Sequence, residues 1–180
     1  MSIREALQHL DMAIQRDHTD RVLCAFLQVI LAVEIAIQSD AQVIETLLDP
    51  VTQQEHATTI AILRDRDMLS FVSAPPQVAV TSVRILIQSG QSDGVADWYR
   101  RHWNQPNWSS ELILASIANS LRPVMIIVLG NNELLRRQLG LQAEQLTATQ
   151  AVIDTIEILR ASRTQVQLYL AGKGVEIQAF

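Results

Sequence analysis

The sequence predicts an all-α protein of seven to nine helices, packed as a compact bundle or as a short stack of α-hairpins. Three observations support this fold class. Apolar residues recur at three- and four-residue intervals along most of the chain, capping and turn residues separate these segments, and no convincing pair of strands is present. The 180 residues contain no linker or low-complexity tract, so a single domain over 1–180 is expected.

Composition narrows the possible functions. Of all residues, 48% are apolar and 18% are charged, which excludes a disordered chain and a disulfide scaffold. The net charge of −5 would repel phosphate and disfavours a nucleic-acid partner. Cys24 is the single cysteine, and the N-terminus lacks the basic start and apolar core of a secretory signal, so a cytoplasmic protein is expected.

Two helices are predicted at the start of the chain. The first is amphipathic because four apolar residues recur with helical spacing: Ile3, Leu7, Leu10 and Ile14. His18, Thr19 and Asp20 offer a cap for the second helix, over 22–38, which is apolar on most sides and is therefore predicted to be central. Residues 17–20 are also the densest group of potential metal ligands, for which an interhelical loop is the simpler interpretation.

Shorter helices are predicted next. Asp40 caps one of them, and Asp49 with Pro50 begins another, which we expect to carry three apolar side chains into the core: Ile60, Leu63 and Phe71. Pro75 and Pro76 then break the chain before a helix over 77–89. In the turn that follows, Gly90 closes that helix, and Asp93 is the expected cap of the short helix after it.

The second half of the chain begins with a helix capped by Ser109 or Ser110. The apolar run 124–129 fits a strand or a buried helix by its pattern. We assign it as helix because its neighbours are helical, and we expect it to end at Gly130. Arg136 and Arg137 then lie on a separate short helix.

A long helix capped by Thr147 and ended by Gly172 is predicted to close the fold. Its aliphatic seam makes it the candidate dimer element: Val152, Ile156, Leu159, Val166 and Leu170. Residues 173–180 alternate weakly and predict either a short strand or an extended tail.

One internal similarity stands out. Residues 33–39 and 83–89 agree at five of seven positions, and both are expected at the C-terminal end of a helix. Two copies of a helix-hairpin unit would produce this pattern, and so would chance in a biased composition.

A search for chemistry finds no catalytic motif. The four histidines are separated, glycine-rich phosphate loops are absent from the sequence, and Cys24 lies in the most apolar helix, where a thiol is inert. No catalytic residue, metal site or cofactor is therefore predicted. An enzymatic function would become plausible if the structure placed His18, His102 or Asp20 in one pocket with an acidic partner.

Residues 98–108 hold all three tryptophans and one of the two tyrosines, together with two arginines and a histidine. Tryptophan, tyrosine and arginine dominate binding hot spots, so one interpretation is a partner-binding surface. The alternative is a helix–loop–helix corner held by large aromatic side chains beneath Pro106. The candidate partner-binding residues are Trp98, Tyr99, Arg100, Arg101, Trp103 and Trp108.

These observations predict a non-enzymatic interaction protein, an adaptor, regulator or scaffold that associates with another protein or with itself. The alternative is a sensor or carrier that holds a small hydrophobic ligand between 22–37 and 112–129, with His102 or Arg101 at the mouth. We expect neither stretch to span a membrane. The first is short, and the second carries Arg122 and Pro123 at its centre.

Overall fold

A computed structural model of the chain describes residues 1–39, 57–65, 67–73, 80–138 and 143–180, with backbone alone for 131–138 and 143–149. Within these ranges it has no strand. Its helices follow in the order α1 (Ile3–Arg16), α2 (Thr19–Gln38), α3 (Ala57–Asp65), a 3-10 helix (Leu69–Phe71), α4 (Val80–Gln88), α5 (Ser92–His102), α6 (Ser110–Gln138) and α7 (Ala143–Gly172). The predicted all-α fold and its number of helices are confirmed for this part of the chain.

α2 is the central helix, as its composition predicts. It packs against α1, α4, α5, α6 and α7, and nearly all of its side chains from Val22 to Glu34 are buried. Its predicted side-chain cap is wrong. His18 occupies the N-cap position without a side-chain hydrogen bond, and Asp20 lies inside the first turn.

α1 lies along α2 and confirms the amphipathic prediction. Its N-terminus forms a capping box, in which the Ser2 hydroxyl accepts from the backbone N–H of Glu5 and the Glu5 carboxylate accepts from that of Ser2. Its buried face consists of Ala6, Leu10 and Ala13.

The middle segments match the sequence only in part. Ile60 and Leu63 of α3 are buried as predicted, but Phe71 is 39% exposed because it lies on the 3-10 helix and not on α3. Gly90 ends the turn after α4 with a φ of +70°, a conformation that favours glycine. The predictions for Asp40, Asp49-Pro50 and Pro75-Pro76 lie outside the described residues.

The turn before α5 differs from its prediction. Gln91 is the N-cap residue of α5, so Asp93, the expected cap, lies within the first turn of the helix. At the other end, α5 closes at His102. Its basic last turn, which holds Arg100 and Arg101, suits the negative end of the helix dipole.

α6 is one 29-residue helix, so the predicted end at Gly130 and the separate short helix beyond it are wrong. Run 124–129 is helical, as predicted. Pro123 lies inside the helix on its exposed side, where the backbone acceptor that it leaves unpaired can turn to water. Packing of Val124, Met125 and Val128 into the core favours continuation of the helix.

α7 begins at Ala143, so Thr147 lies inside the helix and does not cap it. The aliphatic seam from Val152 to Leu170 is buried within the chain, where α7 packs on α2 and α6. The seam therefore leaves no surface for a second copy. The tail 173–180 has no strand and lies on α6, where Arg122 Nε donates to Ala179 O at 2.7 Å.

The two similar heptads occupy equivalent environments. Val33 and Val83 are fully buried, whereas Ile35 and Ile85 are exposed at the same position of each heptad. Ser39 Oγ donates to Ile35 O, and Ser89 Oγ donates to Ile85 O. At the heptads' charged position, Arg84 pairs with Glu34 across the two helices. The sequence similarity thus corresponds to a shared pattern of burial, whatever its origin.

Candidate functional site

The aromatic residues of α5 lie in the core. Trp98 is 3% exposed and Tyr99 is fully buried, with the two rings in an edge-to-face arrangement at 5.0 Å. Trp98 Nε1 donates to Ser82 Oγ at 3.2 Å, and its ring stacks on His102. These two candidate partner-binding residues therefore leave no surface for a partner.

Arg100 fastens the loop that follows α5. Its Nε donates to Trp108 O at 2.7 Å, its Nη2 donates to Ser110 Oγ, and its Nη1 pairs with Asp97. These three contacts hold the guanidinium, and the Asp97 carboxylate balances its charge, so Arg100 acts within the chain. Trp98, Tyr99 and Arg100 thus belong to a packed aromatic corner, the predicted alternative to a binding surface.

The remaining candidates of this segment differ in accessibility. Trp103 and Trp108 are half-buried and pack on the core in an edge-to-face pair at 6.1 Å. Arg101 is exposed, with its Nε directed at Asp97 O of its own helix. A direct role in partner binding stays a prediction for these three residues.

The cluster at residues 17–20 is a polar junction between helices. Asp17 accepts from Tyr169 OH and pairs with Lys173 Nζ at 2.5 Å, while Thr19 Oγ1 donates to Glu111 Oε1 at 2.7 Å. These bonds tie the α1–α2 loop to the start of α6 and the end of α7. Among the described residues, no three histidine, cysteine or acidic side chains are grouped so as to hold a metal ion.

Glu34 is a buried carboxylate at the junction of α2 and α4. It accepts from Leu69 N at 2.5 Å and from Arg84 Nη2 at 2.8 Å, and Arg84 also contacts Asp67. Burial raises the pKa of Glu34 to about 7, against the opposing effect of Arg84. No local pattern predicts this triad, because Glu34 and Arg84 lie on different helices and Asp67 lies in the segment before the 3-10 helix.

Arg163 of α7 is a buried arginine with few partners. Its Nε donates to Ala118 O at 2.7 Å, but its Nη2 is buried without a hydrogen-bond partner. Burial lowers the pKa of Arg163, and the nearby charge of Arg122 lowers it further. Among the described residues, no carboxylate pairs with Arg163, and burial of an unpaired guanidinium group opposes folding.

A groove runs along the outer face of α2. Its first part, the cationic cleft, is about 310 Å³ in volume. The second part, the apolar cleft, is about 200 Å³ in volume, and Gln28 lines both parts. The cationic cleft is lined by His9, Met12, Ala13, Arg16, Arg21, Cys24, Ala25, Gln28, Gly90 and Ser92, and the apolar cleft by Met1, Gln28, Leu31, Ala32, Ile35 and Gln88.

Both clefts share one face of α2. Its lining residues are 21, 24, 25, 28, 31, 32 and 35, which at 100° per residue fall within an arc of about 120°. The α2 residues on the floor of the clefts are 2–7% exposed: Cys24, Ala25, Gln28, Leu31 and Ala32. Seven residues on the other sides of α2 are fully buried: Val22, Leu23, Phe26, Leu27, Val29, Ile30 and Val33. One side of the central helix is therefore only thinly covered.

Gln28 separates the two clefts. Its Oε1 accepts from His9 Nδ1 at 3.1 Å, and its Nε2 donates to Ile87 O at 3.0 Å, so the side chain bridges α1 and α4. Cys24 lies on the floor of the cationic cleft, and burial raises the pKa of its thiol to about 11. A thiol of that pKa is a poor nucleophile at neutral pH.

The alternative functions find little support in this arrangement. The two clefts lie beside α1, α4 and α5 and not between α2 and α6, where a hydrophobic ligand was expected. Arg101, expected at the mouth of that site, lines a separate open cleft of about 470 Å³ beside α4 and α5, together with Arg100. His102 is stacked on Trp98, and Asp20 accepts a short hydrogen bond from Ser110. Of the residues proposed for an enzyme, His18 lines a cleft, together with Arg21 and Asp93.

Comparisons with protein-family models, with curated proteins and with solved structures gave no match to this chain. Among the described residues, one helical stretch, Ser110–Gly130, is long and apolar enough to cross a membrane. Half of that stretch is buried in the protein, as in the core helix of a soluble protein, so this test alone is weak support for a span.

Proposed function

We propose that the protein is a non-enzymatic interaction module that binds an α-helix of another protein in the groove along α2. The observation that carries this proposal is the position of three exposed apolar side chains, Met1, Met12 and Ile35. All three line the two clefts of the groove. Exposed methionines suit such a surface because their flexible side chains adapt to the partner's shape.

The apolar cleft favours a side chain over a free hydrophobic ligand. Sites for small molecules start at roughly 300 Å³. The apolar cleft is smaller than that, and Gln28 divides it from the cationic cleft, which continues into a polar cleft of about 390 Å³ lined by His18 and Asp93. Each cleft has room for an anchor side chain of a partner, which is how peptide-binding grooves take the apolar face of a helix.

The spacing of the clefts matches a helix. Their linings on α2 cover 21–28 and 28–35, so their centres are about seven residues, or roughly 10 Å, apart. A partner helix that lies along α2 repeats its facing side chain at the same distance, from position i to position i+7. The groove therefore accommodates two apolar anchors at i and i+7.

A display library of helical peptides tests this proposal. Selected peptides should carry large apolar residues at i and i+7, and their affinity should fall at least tenfold when a cleft is filled by Ala25→Leu or Ala32→Leu. Both alanines are buried on the groove floor, so the added atoms project into a cleft. Circular dichroism and the melting temperature check that each variant is folded.

A matched control uses an exposed apolar residue outside the groove. Leu168 of α7 is 69% exposed and lines neither cleft. Leu168→Gln should leave the affinity unchanged, whereas Ile35→Gln should weaken it. The proposal is overturned if no peptide is selected, or if the selected peptides bind the filled variants as tightly as the parent protein.

A further inference from the structure

The two ends of the α2 groove differ in charge. Two arginines, Arg16 and Arg21, line the cationic cleft. The side chains that line the apolar cleft are neutral, and Glu34, next to Ile35, turns inward to Arg84. The positive charge at this cleft is the α-ammonium group of Met1. Hydrogen bonds from Ser2 and the nearby α-ammonium group lower the pKa of the Glu5 carboxyl. The protein as a whole is acidic, at −5, so the concentration of positive charge in the cationic cleft runs against its average.

The acidic neighbours of these arginines are bonded elsewhere. Asp17 follows Arg16 in sequence but pairs with Lys173 and accepts from Tyr169. Asp20 precedes Arg21 but accepts a short hydrogen bond from Ser110. Within the described part of the chain, neither Arg16 nor Arg21 takes part in an ion pair.

A third cleft extends the positive end of the groove. It shares Arg21, Gly90 and Ser92 with the cationic cleft, and its lining adds His18. Asp93 is the acidic residue among the side chains that line the two clefts. Two arginines thus face one aspartate, so the field at this end of the groove attracts negative charge.

We infer that the partner helix carries acidic side chains at the end that lies over Arg16 and Arg21, and apolar side chains at the other end. This inference rests on the proposed function. Apolar anchors in the two clefts supply most of the affinity, and charges at one end fix the direction in which the helix lies. An exposed carboxylate opposite an exposed arginine strengthens binding by a small factor and does so most at low salt.

Synthetic helical peptides provide the test. Each has leucine at i and i+7, and a pair of glutamates or a pair of glutamines flanks either the first or the second leucine. At low salt, peptides with glutamates should bind about three- to tenfold more tightly than their glutamine counterparts, as expected for two exposed ion pairs, because the helix can lie in the direction that places its glutamates over Arg16 and Arg21. At high salt the preference should disappear.

Variants of the protein identify the source of the preference. Arg16→Gln combined with Arg21→Gln should abolish it, since both side chains are exposed and lose only their charge. The matched control combines Arg4→Gln with Arg64→Gln, which are also exposed and line neither part of the groove, and should preserve the preference.

The failure of this inference differs from the failure of the proposed function. If glutamate and glutamine peptides bind equally well, and Ala25→Leu still abolishes binding, the acidic end of the partner helix is refuted. The proposal that the groove binds a helix is then still supported. If Ala25→Leu leaves the binding unchanged, or if no peptide binds, the groove itself is refuted and the acidic end falls with it.

Discussion

The substitution Trp98→Ala distinguishes a structural role of the aromatic segment from a partner-binding role. In the structure the indole is 3% exposed, stacks on His102 at 4.1 Å, meets Tyr99 at 5.0 Å and donates to Ser82. Truncation of such a side chain to alanine removes buried apolar area and leaves a cavity, at a cost of about 3–5 kcal/mol. A protein of this kind has about 5–15 kcal/mol of stability in total.

Urea unfolding followed by circular dichroism measures this change. For a chain of this length, a loss of 3–5 kcal/mol lowers the melting temperature by about 6–20 °C. Trp108→Ala should cost less, because Trp108 is half-buried, and Leu168→Ala should change the unfolding free energy by less than about 0.5 kcal/mol. A loss below about 1 kcal/mol for Trp98→Ala, with the slope of the transition unchanged, would refute the core assignment.

Three further predictions concern buried polar groups. Tyr99→Phe should leave the unfolding free energy unchanged or raise it by about 1 kcal/mol, because the buried hydroxyl finds no hydrogen-bond partner in the described part of the chain; urea titration of both proteins measures this. Glu34 has a pKa of about 7 in the folded state against 4.5 as its ordinary value, because burial disfavours its charged form. The stability that the protonated Glu34 contributes is fully present below pH 4.5 and is lost as the pH rises through 7. Urea unfolding from pH 4 to 8 measures the unfolding free energies of the parent and of Glu34→Gln. As the pH rises, the parent should lose stability relative to the variant, by at most about 3 kcal/mol, and a difference that is constant with pH contradicts this. Arg163→Met should raise the unfolding free energy by about 1 kcal/mol or more, because Nη2 is buried without a partner, and a destabilised Arg163→Met protein in thermal unfolding would show that the charge is compensated.

The helical periodicity of apolar residues and the glycines at helix ends made most of the fold predictable. Three local patterns each identified a helix: the 3.6-residue period of α1, the apolar residues on most sides of α2 and the aliphatic seam of α7. Gly90 and Gly172 likewise marked the ends where the chain turns. Where the local signals conflicted with packing, they failed. Gly130 and Pro123 both oppose a helix, yet α6 continues through them because its apolar face is covered by the core.

The same separation applies to the candidate site. Sequence alone identified the density of tryptophan and arginine at 98–108, but a hot-spot composition and a well-packed corner use the same residue types. Burial of Trp98 and Tyr99 depends on which helices cover α5, and that is a tertiary property.

The amino-acid order by itself determined the helices of this protein, its apolar central helix and its acidic charge. Only the tertiary structure decided which side of α2 remains thinly covered, because exposure depends on how α1 and α4 lie across it. The pairing of Asp17 with Lys173, which leaves Arg16 unpaired within the described residues, joins positions from opposite ends of the chain. Contacts of that kind arise from folding and have no local signature in the sequence.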